Sequence, residues 1–147
     1  MEREIVRKHL ADPEFFQENR LAPVSDHLWY ETEEEALEEG EMKLSLSLSG
    51  TWRFLRVPNP EAVPEGFEAA NYACQGWDTI KVPAQIELSG YGHPQYTDTD
   101  YPWDGRENVK PHDIPLEENP TGCYVKTFIL PENMAEKRLQ LHLEGVE

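Results

Sequence analysis

Asn119 stands directly before a proline in the segment Glu118-Asn119-Pro120-Thr121-Gly122-Cys123-Tyr124. A proline ring disfavours the helical region for its predecessor, so Asn119 is expected to be extended, with its side-chain direction restricted. A primary amide both donates and accepts hydrogen bonds, so it can read a sugar hydroxyl in either sense. The same residues also suit a loop-ending turn, and both readings stand at this point. An apolar run follows at once, Tyr124-Val125-Lys126-Thr127-Phe128-Ile129-Leu130, which places the amide at the mouth of a predicted strand.

Other groups capable of chemistry are scattered. His93, Asp98, Asp100, His112 and Asp113 share one long loop. Their spacing matches no ligand set, and solvent-exposed roles are expected for them. The many glutamates invite a carboxylate pair for glycoside hydrolysis, but the separation of such a pair sets its mechanism, and none is expected within this chain. The run from Glu31 to Glu41 is dense in carboxylates. It lacks the fixed spacing and turn glycine of a calcium loop and reads as a solvated helical face. Cys74 and Cys123 lie far apart in the chain and read as reduced, partly buried thiols. No phosphate-cradling glycine loop stands out, nor any Ser-His-Asp or Cys-His order.

The elements that must position these groups are mostly short. Residues 3–17 predict a helix broken at Pro13. Residues 33–39 predict a second, with glutamate near its start and Gly40 just past its end. Leu44, Leu46 and Leu48 alternate with Ser45, Ser47 and Ser49, the period of a strand with one buried face. Gly50 permits a bend or bulge, after which Trp52 and Phe54 continue the alternation. A short helix near residues 66–72, a brief strand at Ile80 and Val82 ended by Pro83, and strands at 124–130 and 139–143 complete the pattern. Trp52 and Trp77 read as core. The loop from Gly90 to Glu117 carries Tyr91, Tyr96, Tyr101 and Trp103. Its aromatics would stack on sugar faces or pack against a neighbouring domain.

Composition narrows the class. A chain of 147 residues suits one domain with a sizeable core, and four Trp, five Phe and six Tyr supply apolar bulk. The net charge of −16 opposes binding to nucleic acid or to an anionic membrane. No run approaches the length of a membrane span, and Met1-Glu2-Arg3-Glu4-Ile5-Val6-Arg7-Lys8 lacks the apolar stretch of a signal peptide. A cytoplasmic location is expected. The pattern is all-β with small helices, a sandwich rather than a parallel sheet.

Several further segments occur in a telling order. They are Glu18-Asn19-Arg20-Leu21-Ala22-Pro23, Leu48-Ser49-Gly50-Thr51-Trp52-Arg53-Phe54 and Pro60-Glu61-Ala62-Val63-Pro64. Then come Trp77-Asp78-Thr79-Ile80-Lys81-Val82-Pro83, Gly90-Tyr91-Gly92-His93-Pro94-Gln95-Tyr96-Thr97-Asp98, the Asn119 segment, and Leu139-Gln140-Leu141-His142-Leu143-Glu144-Gly145-Val146. Each is weak alone, but their order and spacing are specific. From Glu18 onward the chain resembles the N-terminal domain of glycoside hydrolase family 2 β-galactosidases of the large lactose-cleaving type.

That resemblance implies a galactose-binding-like jelly-roll β-sandwich with short helices, incomplete at its C-terminus. Residues 1–30 would be an N-terminal arm and residues 31–147 the first part of the jelly roll. Immunoglobulin-like domains and a catalytic (β/α)8 barrel would follow. The resemblance assigns the galactose contact to Asn119 and the catalytic glutamates to the barrel, leaving no catalytic and no metal-binding residue here. It implies Mg2+ and Na+ for a full-length enzyme, held outside this chain. The implied partners are a β-galactoside, the barrel of the same polypeptide and further copies in a homo-oligomer. The alternatives are the same domain of a β-glucuronidase or β-mannosidase, a free-standing carbohydrate-binding module, or an acidic protein-interaction domain.

Overall fold

The computed structural model describes residues 8–23, 28–93, 105–110, 113–115 and 117–145. Its strands form one antiparallel three-stranded sheet in the order β2-β1-β3. β1 is Gly50–Val57, β2 is Asp78–Val82 and β3 is Thr121–Val125. Among the described residues, short 3-10 turns at Pro60–Ala62, Glu87–Ser89 and Glu132–Met134, a five-residue helix, Glu33–Leu37, and helical backbone at 8–10 complete the regular structure. The class is all-β with short helices.

β1 is central because both of its edges are paired, one to β2 and the other to β3. Phe54 lies opposite Asp78 on β2 and Tyr124 on β3, while Trp52 lies opposite Ile80. Leu55 lies opposite Cys123 on the other face. Phe54 is fully buried, and Ile80, Cys123, Val57 and Trp77 are nearly so. On the Phe54 face, Tyr91 meets the ring edge-on at 4.6 Å and Tyr124 tilts against it at 4.9 Å. Trp77, just before β2, packs against Tyr72 at 5.7 Å and Phe67 at 6.0 Å. Each such aromatic pair adds about 0.5–1.5 kcal/mol beyond area burial. Of the two tryptophans read as core, Trp77 is buried, whereas Trp52 is half-buried and meets Tyr124 edge-on at 6.4 Å. Gly50 opens β1 with φ +116°, a conformation that favours glycine.

Contacts divide the chain into two compact units. The first, Met1–Ala22 with Ser49–Lys126, contains the sheet. The second joins Pro23–Leu48 to Thr127–Glu147. In that second unit the helix Glu33–Leu37 is capped by Thr32, whose Oγ1 accepts from Glu35 N–H at 3.2 Å. The Glu35 carboxylate reaches back to Glu31 N–H at 3.2 Å, a capping-box arrangement extended by one residue. Glu35 is also paired to Lys43. Lys137 meets Glu31 at 3.3 Å, and Asn133 Nδ2 donates to the Lys43 carbonyl at 3.0 Å. Polar bonds therefore tie these two stretches, and none of the unit's described residues is buried.

Several expectations are corrected. Among the described residues the Leu44–Leu48 alternation forms no ladder, and the described strand begins at Gly50. Residues 139–143 likewise form no ladder among the described residues. Alternation prepares one face but does not supply the neighbouring backbone that a strand requires. β3 starts at Thr121, where its antiparallel partner β1 ends at Val57, and it ends at Val125, earlier than the predicted 124–130. Residues 66–72 are successive turns rather than a helix. The helix after Thr32 ends at Leu37 rather than at 39, and Glu39, not Gly40, takes the positive φ (+51°) beyond it. The helix predicted at 3–17 survives as helical backbone at 8–10, ahead of Pro13, and residues 1–7 lie outside the described residues.

Two measurements test this packing. A Cβ on Gly122 would lie 3.0 Å from Phe54 Cε2, 3.0 Å from Tyr124 Cε2 and 3.1 Å from Ile86 Cδ1. Gly122→Ala should lower stability by about 1–3 kcal/mol in urea unfolding followed by tryptophan fluorescence, as overpacking does. An unchanged midpoint would show that the rings yield freely. The second test concerns Glu35, whose carboxyl is held below its ordinary value mainly by the hydrogen bond from Lys43, while Lys43 is raised mainly by Glu35. The depressed carboxyl contributes stability above its unfolded value and loses it as pH falls through the folded value. The raised amine contributes below its own unfolded value and loses it as pH rises through the folded one. In Lys43→Met, carboxyl resonances in an NMR titration should show Glu35 moving up toward 4.5; no movement would refute the pairing.

Candidate functional site

β3 carries the segment singled out by the sequence, and each of its residues has a distinct structural task. Asn119 lies just ahead of β3 and is half-buried. Its backbone N–H donates to the Pro58 carbonyl at 3.1 Å, one step beyond the β1–β3 ladder. Its own carbonyl accepts from Thr121 Oγ1 at 3.1 Å. Pro120 contributes no N–H and restricts Asn119. The backbone is thus fixed at both ends, while the side-chain amide makes no hydrogen bond among the described residues. A half-buried amide with open donor and acceptor positions can take a polar ligand at little cost in ordering.

The rest of the segment builds the support. Gly122 lets the β3 backbone lie against Phe54, Tyr124 and Ile86. Cys123 is 2% exposed, and burial pushes its thiol up, away from a nucleophilic thiolate. Burial, then the charge of Glu87, pushes the Tyr124 phenol up. Burial and then Asp78 do the same to Tyr91, whose hydroxyl donates to the Thr79 carbonyl at 3.3 Å. Both phenols stay neutral donors around neutral pH.

A further feature, which the residue pattern had not disclosed, precedes Asn119. Arg106 Nη1 meets Glu118 Oε2 at 3.0 Å, and Glu117 N–H donates to Glu107 Oε2 at 3.0 Å. Two adjacent residues thus hold the two that lead into Asn119. The charge order Arg106-Glu107 and Glu117-Glu118 was the available signal, but sequence alone gives no pairing for it.

The remaining candidates are not brought together. His93 and Asp113 are exposed, and no ion pair joins them. Tyr96, Asp98, Asp100, Tyr101, Trp103 and His112 lie outside the described residues. Among the described residues no group of three or more His, Cys, Asp or Glu could hold a metal ion, so the donors here do not fit a Mg2+ site. Among the described carboxyls Glu35 is the one whose value moves, and it moves down, opposite to the shift a general acid requires at neutral pH. An apolar depression lined by His9, Leu10, Phe15 and Phe16 involves none of the Asn119 segment. No helix among the described residues is long and apolar enough to cross a membrane.

Residues 45–147, which include the whole sheet and Asn119, match the sugar binding domain of the glycosyl hydrolases family 2. The chain belongs to that family. Its sugar-binding domain is a jelly-roll-like β-sandwich, in accord with the antiparallel sheet seen here. A β-galactosidase of Halalkalibacterium halodurans is 46% identical over 94% of this chain, and one of Streptococcus thermophilus 37% identical over 97%. A β-galactosidase large subunit of Leuconostoc lactis is 35% identical over 94%. These similarities cover 14%, 14% and 24% of those proteins, so the chain spans about one-seventh to one-quarter of their length. Similarity to this family 2 group also reaches into the N-terminal residues ahead of the matched domain.

The cysteines give a direct check on the β3 assignment. Cys74 is half-buried and Cys123 buried. In the native protein a maleimide should label Cys74 first and reach Cys123 only after denaturant is added. Equal labelling rates, read by mass spectrometry of peptides, would contradict the placement of Cys123 under the sheet.

Proposed function

We propose that this chain is the N-terminal sugar-binding domain of a retaining β-galactosidase acting on terminal β-D-galactose of lactose and related galactosides. The observation that carries the reading is the identity to β-galactosidases along nearly the whole chain, 46% in the Halalkalibacterium halodurans protein. It favours galactosides over the substrates of a β-glucuronidase or β-mannosidase. In this reading the chemistry is done elsewhere in a longer polypeptide. There one barrel glutamate attacks the anomeric carbon, and a second protonates the leaving oxygen and then activates water. Mg2+ and Na+, as the resemblance implies, belong to that same part.

Asn119 is the proposed contact of this domain with the galactoside. Support comes from a backbone pinned on both sides and a side-chain amide left unbonded among the described residues. Exposed apolar side chains support a continuing chain. Ile129 is 91% and Leu141 69% exposed, and further sandwich strands would cover them. A cytoplasmic homo-oligomer is part of the same proposal. A free-standing carbohydrate-binding module is the rival.

One set of assays separates these readings. Residues 1–147 alone should release no nitrophenol from nitrophenyl β-galactoside, while the full polypeptide carrying this domain should. In that polypeptide Asn119→Ala should weaken kcat/KM by about 1–3 kcal/mol, the cost of a lost buried hydrogen bond, and leave the melting temperature nearly unchanged. A collapse of stability with normal activity per folded molecule would make Asn119 a turn residue only. Turnover by residues 1–147 alone, after removal of host enzyme, would refute the division of labour.

A further inference from the structure

We propose that Arg106 is a positioning residue, which together with Glu107 clasps Glu117 and Glu118 and so fixes where the Asn119 amide is presented. The proposal rests on the reading of Asn119 as the galactoside contact. Three consecutive residues are each held by one bond from a different place. Glu117 N–H is held by the Glu107 carboxylate at 3.0 Å, the Glu118 carboxylate by Arg106 at 3.0 Å, and Asn119 N–H by the Pro58 carbonyl at 3.1 Å. Gly105, at φ +75°, turns the chain directly ahead of Arg106.

The clasp is poorly suited to a stability role. Arg106 and Glu118 are 55% and 56% exposed, and exposed ion pairs add little to folding. What it does supply is direction. Asn119 has its own backbone anchored on the C-terminal side through Thr121 and Pro120, and its approach from the N-terminal side is set by Glu117 and Glu118. Removing the clasp frees that approach without removing any ligand contact. Substrate binding should therefore weaken while the chemical step is spared, because the barrel groups are untouched.

The test uses the full polypeptide that carries this domain, with nitrophenyl β-galactoside as substrate. Arg106→Gln and Glu118→Gln should each raise KM by about two- to fivefold with kcat unchanged, the range an exposed pair can supply. The double variant should be no worse than either single one. Arg106→Lys, which keeps the charge but not the fork, should recover part of the loss. In the Asn119→Ala background, Arg106→Gln should add nothing. Hydrogen exchange at the Glu117 amide should quicken in Arg106→Gln, a local readout independent of activity. An Arg106→Gln effect that persists in full with Asn119 already removed would overturn the positioning role. So would an unchanged KM in Arg106→Gln while Asn119→Ala is impaired. If Asn119→Ala is itself without effect on KM and kcat, the site reading fails first; quickened exchange at Glu117 would then show a clasp that serves the loop alone.

Discussion

At Gly122 the backbone of β3 comes so close to Phe54 and Tyr124 that one added methyl group would meet three side chains at 3.0–3.1 Å. Much of the described sheet depends on that approach. Phe54 is fully buried because Tyr91, Tyr124 and the bare backbone of Gly122 close around it. Interiors pack at crystalline density, so the ring cannot retreat to admit a larger residue. The register in which Phe54 faces Tyr124 places Thr121 opposite Val57 at the end of the ladder. Asn119 then falls beside Pro58, where its N–H finds a carbonyl. The position of the candidate ligand contact is therefore a consequence of how a ring is packed several residues away.

Some of this was legible in the residues. The alternation through Trp52 and Phe54 marked β1, and Ile80 with Val82 before Pro83 marked β2. The helix at 33–37 followed from its composition, although Thr32 with Glu35 three residues on was the sharper sign of its start. What was not legible is pairing. Leu44 to Leu48 has the best alternation in the chain and forms no ladder among the described residues, while Thr121-Gly122-Cys123, with its small residues, does. Period two reports a chemical face. A ladder depends on which other backbone lies alongside, and that is set by contacts far apart in the sequence, such as Gly122 opposite Arg56.

The site divides in the same way. Asn-Pro restricted the backbone of Asn119 through local sterics, which sequence reports well, while the resemblance to family 2 made its amide the candidate contact. The Arg106–Glu118 contact spans a turn and a loop and follows from no local rule. Charge counts mislead here. With 29 acidic residues against 13 basic ones, carboxylates are plentiful, but whether Arg106 pairs and with which is a matter of geometry.

If, as proposed, Asn119 contacts a galactoside whose chemistry is done elsewhere in a longer polypeptide, that contact can influence the reaction in two ways. A contact that is equally strong in the ground state and the transition state lowers KM and leaves kcat alone. A contact that tightens as the ring flattens toward an oxocarbenium ion raises kcat as well. An amide on a pinned backbone favours the first behaviour. It meets a hydroxyl in one fixed direction whatever the state of the ring, so its contribution falls on binding. The ring cluster under Gly122, the ladder end at Val57 and the clasp at Arg106 each reduce its freedom by a separate route. Their sum is a small polar group carried on a stiff support.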